Sequence, residues 1–406
     1  MRPIRLAVIF DQHTHAGGGY QQALNAALLT LDLPSSLVET FYFTTLRENI
    51  ESLRGIGITA ELIEISFAKR VLAYFRRSIK ETRILKLIKI IQKHSPIESF
   101  LIKNKIDLAY AISPSAWPRD LEEINYLTTV WDLSHRDDPE FPEVRWNREL
   151  EVRDRNYQSL LPRATAIFVD SELGKKNVLD RYGIDDERVH VMPFQASIAT
   201  RSYSEKNVTK EYDVGKKYQL DVPYVFYPAQ FWAHKNHVYL LEGLKILEQD
   251  FGLKVGAIFS GGDKGNLSYV KSYVRNLNLE DRIRFAGFVT NDEIPELYRQ
   301  SIALVMPTYF GPTNLPPLEA FELGVPLLYS DRAGLRDQVG SAALLMDLKN
   351  PRSMAEHIFN LKNDKELRMQ LVKSGREQLH HYKSIDRIGI LKFVLEDFRS
   401  RRICWE

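Results

Sequence analysis

The chain has 406 residues, 44% of them hydrophobic and 27% charged, with a net charge of +2 at pH 7. The length is about twice that of a typical domain, so two domains are expected, and the near-neutral balance argues against a nucleic-acid-binding protein. A lone cysteine, Cys404, excludes intrachain disulfides and fits a reducing compartment, while no apolar run approaches the ~20 residues of a membrane span.

Short apolar runs alternate with helix-length amphipathic segments, the pattern of an α/β protein. The opening residues read as a first strand and not a signal peptide, because Asp11 cuts the apolar run and no small-residue cleavage site follows. Strands are expected at Ile4–Phe10, Val38–Thr44, Ala60–Ile65, Ile106–Ile112, Leu127–Trp131, Ala164–Val169 and Val189–Met192. Between the first strand and a helix at Gln21–Thr30 lies Asp11-Gln-His-Thr-His-Ala-Gly-Gly-Gly-Tyr20, whose Gly17, Gly18 and Gly19 let the backbone approach a ligand closely. It is not the G-x-G-x-x-G dinucleotide fingerprint. His13 and His15 lack a carboxylate or cysteine at ligand spacing, so no metal is expected there.

Residues Ala68 to His94 hold nine Lys or Arg against one acid, Glu81, with aliphatic and aromatic residues between them. Such a stretch suits an anionic membrane surface (residues 69–93) or, equally, a domain helix with an inward apolar face and solvated lysines. Thr129 to Phe141 is a strand end followed by a polar loop, in which Asp132 suits a turn cap. Ala199–Lys217 loses apolar periodicity and reads as a linker. The strand pattern then restarts at Tyr224–Pro228, Val255–Ser260, Ile283–Phe285, Ile302–Met306, Pro326–Tyr329 and Ala342–Met346.

Three strand ends of this second half carry polar turns. Tyr227-Pro-Ala-Gln-Phe-Trp-Ala-His-Lys-Asn-His237 precedes a helix at Val238–Leu247, and Phe259-Ser-Gly-Gly-Asp-Lys264 is a glycine turn. The third, Met306-Pro-Thr-Tyr-Phe-Gly-Pro-Thr-Asn-Leu-Pro-Pro-Leu-Glu-Ala-Phe-Glu-Leu-Gly-Val-Pro326, is the richest. Its glycine-bearing loop opens a helix near Leu315 that ends at Gly324, an arrangement that offers backbone N–H groups and a positive dipole end to an anion. Glu319, about one turn inside, can accept hydrogen bonds from sugar hydroxyls. The plainer alternative is an ordinary strand–loop–helix unit.

This last motif resembles the signature of the retaining, nucleotide-sugar-dependent glycosyltransferases of the GT-B fold, family 4, in which two glutamates are separated by seven residues in a Gly-Leu-Pro-Pro-Leu-Glu-Ala context. Glu319 matches the second acid, and Gly311 stands where the first is usual. The resemblance places Lys235 at the family's diphosphate lysine and Gln230 at its companion arginine. It sets Phe288 and Val289, in Ile283-Arg-Phe-Ala-Gly-Phe-Val-Thr290, beside the nucleobase. Gly261, Gly311, Thr313, Asn314 and Leu315 would line the donor, with Thr313 and Asn314 making neutral contacts in place of the missing acid. From the first half, Gly18, Gly19 and His135 (the last in an Asp-Leu-x-His-like segment) would close the site.

The resemblance implies two Rossmann-like domains facing each other across a cleft, at residues 1–205 and 206–385, with a helix in 386–406 crossing back to the first. The implied activity is retaining transfer of a hexose, mannose among the candidates, from a nucleotide diphosphate sugar to a glycan or lipid-linked glycan in surface polysaccharide synthesis. Lys235, Glu319 and His135 would carry it in the cytoplasm, or peripherally on the inner membrane face, without a metal or other cofactor. Two alternatives stay open: a GT-B sugar-nucleotide epimerase, or a non-catalytic glycan- or nucleotide-binding subunit, which Gly311 and Gln230 make conceivable.

Overall fold

Among the described residues, the apolar runs of the sequence become thirteen parallel strands in two sheets. The computed structural model describes residues 2–14, 17–65, 94–205 and 213–405; His15 and the basic stretch 69–93 therefore lie outside the described residues. Two compact units are formed: residues 1–131, 151–192 and 386–406 make the first, and residues 132–150 and 193–385 the second.

The first unit holds a seven-stranded sheet in the order β3-β2-β1-β4-β5-β6-β7. Its strands are β1 (Ile4–Phe10), β2 (Val38–Thr44), β3 (Ala60–Leu62), β4 (Leu108–Ala111), β5 (Asn125–Val130), β6 (Ala166–Val169) and β7 (Val189–Val191). Every residue of β4 and β6 is buried and six of seven are in β1, as a parallel sheet covered on both faces requires. The helix Gly18–Leu29 starts earlier than the sequence suggests, so Gly18 and Gly19 lie in its first turn, with Gly17 (φ 62°) as its N-cap. A Cβ on Gly19 would sit 3.0 Å from the Trp131 ring, which explains a glycine there. The helix Arg387–Arg402 belongs to this unit: Arg402 pairs with Asp107 at 2.7 Å, and the Phe393 ring lies 6.1 Å from that of His190 on β7.

In the second unit the order is β10-β9-β8-β11-β12-β13, from β8 (Tyr224–Pro228), β9 (Gly256–Ser260), β10 (Ile283–Gly287), β11 (Leu304–Met306), β12 (Leu327–Ser330) and β13 (Leu344–Met346). Succession along the chain runs outward from β8 to β10, then jumps back to β11 and runs the other way. Ligands of such sheets gather at the carboxyl ends of the two strands flanking that reversal, here β8 and β11. The helix His237–Phe251 covers the sheet with Tyr239, Leu240, Leu241, Leu244 and Leu247. Gly243 lets the helix Pro351–Asn363 come close, since a Cβ there would meet Met354 Cε at 2.4 Å.

Two expectations are corrected here. The segment Ala199–Lys217 is not a uniform linker: a helix spans Ile198–Glu205 and another Val214–Tyr218. Thr200 is buried, Tyr203 bonds Glu296, and Val214 N–H donates to Gln300 Oε1 at 3.1 Å. These side-chain anchors hold the segment to the second unit and move the boundary from 205/206 to 192/193. The loop after β5, with His135, likewise packs with the second unit and not the first. Among the described residues, no helix is long and apolar enough to cross a membrane.

Candidate active site

The loops that leave β8 and β11 meet at the strand reversal of the second sheet. After β8 the chain makes a tight turn, Ala233–Lys235, then passes Asn236 in the left-handed region (φ 54°) into the helix His237–Phe251. Tyr227, buried on β8, donates its hydroxyl to the Lys235 carbonyl at 2.9 Å and so fixes the turn. The Lys235 ammonium points at the other loop, donating to Thr308 Oγ1 at 3.4 Å and Asn314 Oδ1 at 3.3 Å. Burial lowers its pKa from 10.5 to about 8, against the pull of the Asp132 and Glu143 carboxylates. A lysine poised in this way loses little hydration on meeting an anion, which suits it to a phosphoryl group.

The loop after β11 is ordered by its own amides. Tyr309 N–H donates to the His234 carbonyl (2.9 Å), Phe310 N–H to Thr308 Oγ1 (3.3 Å), Gly311 N–H to Ser134 Oγ (3.2 Å) and Asn314 N–H to Gln338 Oε1 (3.0 Å). Pro316 and Pro317 in the first turn of the helix Leu315–Leu323 remove two further donors. The expected anion cradle of backbone N–H groups is thus largely committed to protein partners, and the local charge rests on Lys235. Asn314 turns its side chain away from the cap position, donating to Tyr329 Oη at 2.8 Å and Phe310 O at 3.3 Å while its Oδ1 receives Lys235. Thr313 and Leu315 are buried.

Gly311 sits at φ 96°, and a Cβ there would come within 2.8 Å of the Thr313 carbonyl. The backbone excludes an acid at this point for steric reasons. Accordingly, Gly311→Glu, which restores the family's usual residue, is expected to lower turnover and cost about 1–3 kcal/mol of stability; a thermal melt and a rate assay on the variant check both, and a more active, equally stable protein would refute this reading.

Glu319 is placed differently from expectation. Its carboxylate is buried and accepts the hydroxyl of Tyr298 at 2.7 Å, with Ser197 as a further hydrogen-bond partner. Burial raises its pKa despite those bonds. His135, in the one-turn helix Ser134–Asp137, is fully buried as well.

The remaining predicted residues spread along the carboxyl edge. Gln230, in the arginine position, accepts Trp232 Nε1–H at 3.2 Å. Gly261 (φ 151°) presses on the neighbouring loop, where a Cβ would meet the Ala229 carbonyl oxygen at 2.4 Å. Phe288 is 73% exposed at the end of β10, and Val289 packs on the core. Gly18 and Gly19 lie in the first unit and are not among these contacts. His13, read as lacking a carboxylate, bonds Glu48 at 3.1 Å.

Sequence reasoning missed three contributors. Lys264, 5.7 Å from the Trp232 ring centroid, brings a second cation to the turn after β8; it stood inside a motif noted only for its glycines. Glu143 receives the backbone N–H of His234 at 3.0 Å and bonds its Nδ1. Asp138 takes Arg332 Nη2 on both oxygens at 2.9 Å. Nothing local in the sequence marks either acid.

Residues 209–378, within the second unit, match the family of glycosyl transferases group 1. The chain is 24% identical over 315 residues to O-antigen chain mannosyltransferase B of Escherichia coli, covering 77% of this chain and 79% of that protein. It is also 24% identical over 274 residues to a D-inositol 3-phosphate glycosyltransferase of Corynebacterium glutamicum, covering 65% and 63%. The fold aligns with HepE of Anabaena, crystallised with UDP and glucose, at a TM-score of 0.69 and 14% identity over 98% of this chain and 100% of that one. With its two parallel sheets, the chain has the GT-B fold. Within that fold, residues 209–378 of the second unit carry the match to the group 1 glycosyl transferases, and the chain is similar over most of its length to an enzyme that transfers mannose.

Proposed function

We propose that the chain transfers a hexose, with retention at the anomeric carbon, from a nucleoside diphosphate sugar to a hydroxyl of a glycan or lipid-linked glycan. The observation that carries this reading is the convergence of Lys235, Thr308 and Asn314 at the strand reversal of a group 1 domain. As the bond between the anomeric carbon and the diphosphate breaks, its electron pair passes to the leaving oxygen, and the Lys235 ammonium stabilises the charge that grows there. The acceptor oxygen bonds to the anomeric carbon and gives up its proton to the departing diphosphate oxygen. Protein cations, Lys235 with Lys264 over the Trp232 ring, carry the diphosphate charge in place of a metal. Similarity to an O-antigen chain mannosyltransferase makes mannose the first sugar to try and surface polysaccharide assembly the setting.

The test is a panel of UDP, GDP and ADP sugars, read first by thermal shift, since a ligand of the folded state raises its melting point. Release of nucleoside diphosphate is then measured with and without glycan acceptors. Acceptor-dependent release with one donor, giving an α-linked product from an α-linked donor, is the expected result. Turnover without an acceptor would point to an epimerase, and binding without turnover to a carrier subunit; either would defeat the transferase reading of this site.

A further inference from the structure

Residues 132–150 leave the first sheet after β5 and pack onto the loops of the second unit. Three polar links tie the segment down. Ser134 Oγ accepts Gly311 N–H at 3.2 Å, Asp138 holds Arg332, and Glu143 takes both the backbone N–H and the ring Nδ1 of His234. Phe141 adds an apolar link, 5.1 Å from the Phe310 ring and 5.3 Å from that of Tyr309. His234 is in turn clamped flat on Phe310, with centroids 4.0 Å apart and planes 6° from parallel. Lys235 is the next residue.

We propose that Asp132 and Glu143 are positioning residues and the countercharge for the Lys235 ammonium, Glu143 through its two bonds to His234, the residue before the lysine, and Asp132 through Ser134, which holds the loop that the ammonium faces. The proposal rests on the reading of Lys235 given above and names the carboxylates that support it. Among the described residues, the ionisable groups coupled to Lys235 are these two acids from the segment, His234 from its own turn and His237 from the helix that follows, while Tyr227, bonded to the Lys235 carbonyl, is held neutral by burial; Thr308 and Asn314, from the loop after β11, are neutral. Burial, helped by Lys235 itself, lowers His234 to about 4 and His237 to about 3, so both are uncharged near neutrality. Neither histidine then repels the ammonium, and the countercharge comes from Asp132 and Glu143. Glu143 is suited to stay ionised, because the bonds from His234 outweigh its burial and hold it below the usual carboxylate range. Asp132 is fixed by accepting Ser134 N–H at 2.9 Å, and Ser134 is the residue that holds Gly311. One segment thus sets both the charge of the lysine and the shape of the loop it faces.

The experiment follows the lysine directly. Reductive methylation with 13C-formaldehyde gives each lysine an NMR signal, and the peak missing in Lys235→Arg identifies Lys235. In the wild-type protein it should titrate near pH 8. Asp132→Asn and Glu143→Gln, each removing a charge with little change of shape, should each move that midpoint down by about one pH unit. The basic limb of kcat/KM for nucleoside diphosphate release should move with it. A purely structural role would lower the rate and leave the midpoint where it was. Asp132→Asn keeps every bond to His234, so it decides the matter even where Glu143→Gln does not fold. Unmoved or raised midpoints in folded variants would overturn the proposal. A wild-type protein that titrates as described but transfers no sugar would instead overturn the functional reading alone.

Discussion

Lys235→Ala should lower turnover on the order of a hundredfold or more while changing the donor Michaelis constant far less. Charge on the diphosphate grows as the anomeric bond breaks, so a fixed ammonium stabilises the transition state more than the bound substrate. The structure strengthens this expectation. Four amides of the facing loop are engaged within the protein and two prolines open the following helix, leaving few backbone donors to share the load. Lys235→Arg should restore only part of the rate, because a planar guanidinium does not fit the pocket between Thr308 and Asn314 as a compact ammonium does. The pH dependence has a definite sign. The active form is the charged one, and burial sets its pKa at about 8, so kcat/KM should decline as pH rises through that value. Steady-state release of nucleoside diphosphate, with circular dichroism on each variant, measures all three. A folded Lys235→Ala protein with near-wild-type turnover would mean the diphosphate lies elsewhere.

Glu319→Ala should lower the second unit's stability, and not merely donor binding. Tyr298 is fully buried and gives its hydroxyl to this carboxylate, so truncation leaves a buried donor without its acceptor. Such a loss costs about 1–3 kcal/mol, and the emptied volume adds to it. A fall in melting temperature on the order of 5–10 °C follows for a unit of this size. Glu319→Gln separates charge from shape. The folded protein raises the pKa of Glu319, so it favours the protonated acid over the ion. Stability from this group is therefore fully present below the ordinary carboxylate pKa and is lost as pH rises from there through the raised folded value. The glutamine variant should lack that slope and melt at least as high as wild type at neutral pH. If Glu319→Ala instead melts like wild type and only weakens donor binding, the carboxylate serves a ribose and not the Tyr298–Ser197 pair.

The thirteen strands were legible because buried parallel strands are written as short apolar runs between turn residues, and both sheets consist of such runs. Lys235 and the loop after β11 were legible for a related reason: polar and glycine-rich turns at strand ends are where an α/β sheet presents its chemistry. Glu143 was not, since its partner lies 91 residues away and its own helix, Pro142–Arg145, is too short to show periodicity. The segment Ala199–Lys217 misled because its anchors are the polar Thr200 and Tyr203 rather than an apolar stripe. Gly311 was read as a missing acid when it is a backbone requirement, and φ is not visible in a list of residue types. Glu319 stood at the expected position in its helix, but which way its carboxylate turns depends on Tyr298 and Ser197, each more than a helix turn away in sequence.

The chain passes between the two units four times, at 131/132, 150/151, 192/193 and 385/386. On the ribosome, the first sheet is translated before the second, yet the helix Arg387–Arg402 that seals it emerges only after the whole second unit has been made. The second unit, begun later, has all its pieces in hand first, once residues 132–150 have waited for 193–385. Domains commonly mature in the order of their synthesis; here the order is inverted, and the half started first is finished last. Translation stalled within residues 193–385 would leave Asp107 without Arg402 and His190 on β7 without the Phe393 ring.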